Sequence, residues 1–215
     1  MKKAILWDND GVLVNTEPLY FRANQEIMRH YDFELTIEIF AEVSLRQGKG
    51  VIEIDEFKNR FSPEELAAIK EERNEIYSGL LRSEDCKVDG AFQVLGDLAK
   101  SFQMGIVTSS KREHFELIHQ SSGLLPFFEF ALTPEQYHGV KPHPGPYLAG
   151  LEKIGVSTKE CIVIEDSERG LSSARAAGLD CIIIRHEITK DHAFKGASHI
   201  VDHLQEIAEE LIHSV

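Results

Sequence analysis

The chain has 215 residues, 42% hydrophobic and 27% charged, which suffices for one full core plus a smaller second module. Its formal net charge is −13 and its lysines and arginines are scattered, which argues against nucleic-acid or anionic-membrane partners. No apolar run approaches the roughly 18 residues of a membrane span, and the stretch behind Met1-Lys2-Lys3 is too short for a secretory h-region.

The first predicted element is the strand AILW, which runs straight into Asp8-Asn9-Asp10-Gly11. Further short apolar runs follow: MGIV before Thr108, FEFAL at 128–132, CIVI before Glu165 and CIII before Arg185. Runs with so little alternation suit strands buried on both faces of a parallel sheet. Between them lie helix-like stretches at 91–100, 111–121, 146–154 and 170–177, with Gly155 and Gly178 where C-terminal caps would fall. The alternation predicts a doubly wound, Rossmann-like α/β core with its ligand site at the C-terminal strand ends. Residues 15–87 interrupt the pattern and read as helices at 17–30, 36–57 and 62–81. The last opens with a Ser62-Pro63-Glu64-Glu65 capping box. The expected organisation is therefore a core of 1–14 and 88–215 with a helical module inserted at 15–87. Cys86, Cys161 and Cys181 are odd in number and lack C-x-x-C spacing, so they read as buried thiols in a reducing cytoplasm.

The chemistry concentrates at strand ends. Side chains two apart on an extended segment point the same way, about 6–7 Å along the strand, so Asp8 and Asp10 are expected to share a pocket. Two carboxylates that close imply a cation or a shared proton. An Asp-rich turn ending in Gly11 is also common without any function. A calcium loop fails, because its first ligand position falls on Leu6. Thr108-Ser109-Ser110 offers hydroxyls and N–H groups as an anion cradle, although Thr108 alone also reads as a plain N-cap. Lys141 sits in VKPHP between rigid turns, and a surface lysine is its bland alternative. Glu165-Asp166-Ser167 leads into a helix, where an acid pair in a partly buried crevice needs compensation. Hard oxygen ligands describe a magnesium site. Hydroxyl, N–H and ammonium groups describe a phosphate site.

DNDGVL, VTSS, VKPHP and IEDSERGLSSARAAG together resemble, in order, the four motifs of the haloacid dehalogenase superfamily, on its phosphatase and β-phosphoglucomutase side. The insertion at 15–87 resembles the helical cap of that family. The resemblance implies Asp8 as the nucleophile and Asp10 as general acid, then base. It implies Thr108, Ser109 and Lys141 on the phosphoryl group, and Mg²⁺ held by Asp8, Asp10 (through its carbonyl), Asp166 and Glu165. Asp10 separates phosphotransfer from dehalogenation, because dehalogenases lack an acid there. Asn9 stands where the family usually has an apolar residue and Asn15 where it usually has Asp. Both are expected to border the pocket, with Asn9 able to touch substrate. Gly145 replaces a common Asp and is expected to cap the helix beginning at Pro146 more weakly.

The implied activity is Mg²⁺-dependent hydrolysis of a small phosphorylated metabolite through an aspartyl-phosphate, with a sugar-phosphate mutase as the alternative. Mutases carry a histidine at the position of Tyr20 and a cap lysine, for which EER near Arg73 offers no clear equivalent, so hydrolysis is favoured. A signalling receiver, which would be a binding module, lacks both Asp10 and the insertion. The loop 44–50 is the expected specificity element through Arg46 or Lys49, with an ordinary solvent loop as the other reading. A monomer is the default state for a chain of this size.

Overall fold

A computed structural model describes residues 1–212. In chain order it contains β1 (Ala4–Trp7), α1 (Glu17–His30), α2 (Ile37–Phe40), α3 (Asp55–Lys58), α4 (Pro63–Ser83), α5 (Ala91–Leu98) and β2 (Gln103–Val107). These are followed by α6 (Arg112–His119), β3 (Phe130–Leu132), α7 (Gly145–Ile154), β4 (Cys161–Glu165), α8 (Glu168–Ala176), β5 (Asp180–Ile184), β6 (His199–Val201) and α9 (Leu204–Ile212).

The six strands form one parallel sheet in the order β3-β2-β1-β4-β5-β6. The chain builds outward from β1 on one side and then returns to build on the other. That reversal leaves a crevice beside β1, where open α/β sheets hold their ligands. Alternation along β1 explains the two layers of helix. Ile5 and Trp7 face a core shared with α5, α6 and α9. Ala4 and Leu6 face the opposite core, shared with α7 and α8. The sheet is covered on both sides, as its unbroken apolar strands require.

The helical region between β1 and α5 has an apolar cluster of its own, built on Ile27, Met28, Phe40, Leu45, Phe57 and Ile69. A smaller cluster of Val14, Leu19, Tyr77 and Leu81 meets Ile118 of α6 and joins this region to the sheet's helices. The helix expected at 36–57 is broken. After α2 come a π-helical turn (Ala41–Arg46), a loop, a short 3-10 turn (Val51–Glu53) and α3. Gly48 takes φ +70°, in the left-handed region, which no continuous right-handed helix accommodates. Gly145 also differs from expectation. It lies inside the first turn of α7, with Pro144 at the N-cap, and a Cβ there would come within 1.8 Å of the His138 carbonyl oxygen. An Asp at this position has no room.

Cys161 and Cys181 are buried while Cys86 is half-buried, and all three are free. No helix among the described residues is long and apolar enough to cross a membrane.

The Ser62 hydroxyl accepts from Glu65 N–H while the Glu65 carboxylate accepts from Ser62 N–H, closing the expected capping box at the start of α4. Ser62→Ala is expected to cost about 1 kcal/mol, lowering the thermal midpoint by ~2–4 °C in a calorimetric scan.

Candidate active site

The centre of the crevice is a buried lysine. Lys141, 2% exposed, places Nζ 2.9 Å from Asp8 Oδ1 and 2.7 Å from Glu165 Oε1. It also donates to the Val107 carbonyl and to the Tyr147 hydroxyl, both at 3.0 Å. Tyr147 in turn donates to Glu165 Oε1. The other oxygen, Oε2, accepts from the N–H groups of Asp166 and Ser167 and from the Ser167 hydroxyl. Five donors saturate a carboxylate that has about four lone-pair sites. Burial works against charge on Lys141, but Asp8 and Glu165 outweigh it and hold the ammonium firmly protonated. Burial likewise works against the Glu165 carboxylate, and Lys141 with its hydrogen bonds brings it below the usual range.

Asp8 and Asp166 fare differently. Burial pushes the Asp8 carboxyl well up, and Glu165, Asp166 and Asp10 add to this more than Lys141 removes. Asp166 is raised by burial and by Glu165, partly offset by His186, whose Nε2 lies 2.9 Å from Asp166 Oδ2. Asp8, Glu165 and Asp166 bring one oxygen each within 4.8 Å of one another. The donor set fits a hard divalent cation: buried carboxylates in close approach, with negative charge that Lys141 does not balance. Gly11 makes the approach possible. Its φ is +76°, and a Cβ would sit 2.0 Å from Asp166 Oδ2.

Asp10 is surrounded by hydroxyls. Its Oδ1 accepts from Thr16 at 2.5 Å, and its Oδ2 accepts from Ser110 at 2.7 Å and from Thr108 at 3.1 Å. Asn9 adds a longer contact, Nδ2 to Oδ2 at 3.3 Å. The amide oxygen of Asn9 lies 2.7 Å from His119 Nε2, and His119 Nδ1 is 2.8 Å from the Ser122 hydroxyl. Burial lowers the His119 imidazole to about 4, so it is neutral near pH 7.

Asp8 and Asp10 open together onto a cavity of about 200 Å³, roofed by the helical region. Of the expected residues, Asp8, Asp10, Thr108, Lys141, Glu165 and Asp166 gather at this one site, and Ser109 lines the cavity. Asn9 and Asn15 depart from expectation. Asn9 is wholly buried behind Asp10, outside the cavity lining, because alternation turns it away from its neighbours. Asn15 is exposed and faces a separate depression beside Lys87 and Gln205.

In the loop 44–50, Lys49 lines the cavity, whereas Arg46 reaches Glu42 at 2.6 Å and Glu168 at 3.2 Å. Arg73, for which no role was expected, lines the cavity too. It donates to the Tyr20 hydroxyl at 2.6 Å and to Asn24 at 2.9 Å, and stacks over the Tyr20 ring. Tyr147, His119 and His186 were also missed. His186 was the easiest of these to find, since it follows the strand CIII as the other site residues follow theirs.

His119 sets a pH dependence. Its folded pKa lies below its ordinary 6.5, so the unfolded chain binds the extra proton, and stability is lost as pH falls from about 6.5 toward 4. The wild type is expected to lose roughly 2 kcal/mol between pH 7 and pH 5 through this group. His119→Gln should lack that component, as read by urea unfolding at both pH values.

The family model described as haloacid dehalogenase-like hydrolase matches residues 5–184. The chain is 28% identical to the fructose-1-phosphate phosphatase YqaB of Escherichia coli, over 84% of this chain and 95% of that protein. It is 29% identical to a phosphorylated carbohydrates phosphatase of Thermotoga maritima, over 84% and 83% respectively. The solved β-phosphoglucomutase of Clostridium difficile superposes with a TM-score of 0.84 at 22% identity, covering 100% of this chain and 96% of that one. With the model spanning most of its length, the chain belongs to the haloacid dehalogenase-like hydrolases.

Proposed function

We propose that this protein is a Mg²⁺-dependent phosphatase acting on a small phosphorylated sugar or similar metabolite, with residues 15–87 serving as the cap over its active site. The observation that carries the reading is the pairing of Asp8 and Asp10 at one cavity. Asp8 is held by Lys141 and Asp10 by hydroxyls. Asp8 attacks phosphorus, the bond from phosphorus to the alcohol oxygen breaks, and Asp10 gives its proton to the leaving oxygen. Water then attacks the aspartyl-phosphate, passes a proton to Asp10 and releases phosphate, restoring the Asp8 carboxylate. Splitting one displacement into two lowers the barrier of each, and a positioned acid is worth ~10²–10⁴-fold.

Asp8, Asp166 and the Asp10 carbonyl would hold the ion. Glu165, with its oxygens already taken, fixes Lys141 instead. Bound Mg²⁺ supplies the positive charge that lets an anionic carboxylate meet an anionic ester. Ser109 then faces the phosphoryl group, while Lys141, outside the cavity lining, holds Asp8 for the attack. The rest of the substrate meets Arg73, Lys49, Lys111 and Arg169, and the buried Nε of Arg169 has no hydrogen-bond partner among the described residues. These cations suit a polar, anionic metabolite. Relatives named for sugar phosphates agree with this substrate class.

Arg73 also favours a second reading. A cap cation inside the cavity is what a mutase needs to hold a second phosphate, so the expected lack of one no longer argues for hydrolysis. Two assays separate the readings. Phosphate release from 4-nitrophenyl phosphate should require Mg²⁺ and fall at least ~10³-fold in Asp8→Asn. Undiminished turnover by that variant would remove Asp8 as nucleophile. Interconversion of sugar monophosphates that depends on a bisphosphate primer would replace the phosphatase with the mutase.

A further inference from the structure

We propose that Asn9, His119 and Ser122 form a buried positioning chain that aims the Asp10 carboxylate at the leaving group. The inference rests on the phosphatase reading and adds residues to it. Each link has one complementary partner. The Asn9 NH₂ faces Asp10 Oδ2, which turns its amide oxygen toward His119. That oxygen can only accept, so the neutral imidazole carries its hydrogen on Nε2 and donates it there. The bare Nδ1 then accepts from the Ser122 hydroxyl, whose oxygen also accepts from Leu124 N–H at 3.1 Å. Burial keeps the imidazole neutral, with the single N–H that this arrangement uses.

Why an amide should occupy this position is otherwise unexplained. Asn9 is 0% exposed two residues past the end of β1, where a side chain without polar atoms would fill the space and need no partner. The chain also joins both ends of one helix to the same carboxylate. Thr108 and Ser110, before α6, bond Asp10 directly, and His119, the last residue of α6, reaches it through Asn9. Asp10 Oδ2 accepts from Ser110, Thr108 and Asn9 together, which fixes the plane of the carboxylate. Asn9 and His119 are positioning residues, since neither lines the cavity.

The test compares kcat/KM for two esters of similar size, 4-nitrophenyl phosphate with a good leaving group and phenyl phosphate with a poor one. This parameter reads formation of the aspartyl-phosphate but not its hydrolysis. General acid help matters far more for the poor leaving group. In Asn9→Leu and His119→Leu the ratio of the two values should shift roughly tenfold against phenyl phosphate. In His119→Gln, whose amide can still donate to Asn9, the ratio should return to within about threefold of wild type.

Nitrogen NMR of the wild-type imidazole should find the proton on Nε2, a readout independent of activity and of variant folding. Equal losses on both esters, an unchanged ratio in well-folded variants, or an Nδ1 proton would overturn the proposal. Hydrolysis of neither ester by the wild type would overturn the phosphatase reading itself. A failure of the ratio test alone would leave that reading intact.

Discussion

Lys141 and its two carboxylates form the contact on which the rest of the site is built. An ammonium and two acids removed from water are tolerated only when each charge finds partners, and here Lys141 has four and Glu165 five. The network crosses the sheet from β1 to β4 and takes in α7 through Tyr147. Removing one partner would strand the others in a low-dielectric pocket, a loss on the order of 3–5 kcal/mol. The same network sets the acids apart in their bonding. Glu165 accepts from five donors and lies below the usual carboxylate range, whereas burial raises Asp8 and Asp166.

Two glycines mark how closely the backbone must approach these acids. Gly11 lies against Asp166, and a Cβ on Gly170 would fall 1.9 Å from Glu165 Cδ. Gly11 directly follows Asp10, and Gly170 stands in the first turn of α8, which follows Glu165 and Asp166. Small residues there let α8 and the turn after β1 close on the carboxylates, which fixes their rotamers by packing as well as by hydrogen bonds.

The sheet and the acid-rich strand ends were legible because each is written in a contiguous stretch. An apolar run followed by acids needs no knowledge of distant residues, and β1, β4 and the capping box of α4 emerge at or within a residue of expectation. The broken segment after α2 was not legible as such. Its apolar residues keep helical spacing, and the left-handed Gly48 outweighs them. β6 escaped notice because its apolar signal is no more than the pair Ile200-Val201. Contacts between distant parts of the chain were invisible. Asn9 and His119 are separated by 110 positions, and Arg73 meets Tyr20 across 53. The misplacement of Asn9 was avoidable, since the alternation that puts Asp8 and Asp10 on one side sends their middle neighbour to the other.

The loop 44–50 is pinned to the sheet domain at a sensitive point. Arg46 bridges to Glu168, two positions after Asp166, and Gly48 runs close against the Lys141 carbonyl. Arg46 and Glu168 are both partly solvent-exposed, so dissolved electrolyte weakens their attraction over a Debye length of about 8 Å in physiological salt. Parting this bridge removes one surface tie between the loop and α8, while the apolar cluster that meets Ile118 still joins the helical region to the sheet's helices. Ionic strength thus acts on this exposed tie, whereas the buried charges of Lys141, Asp8 and Glu165 stay shielded from it.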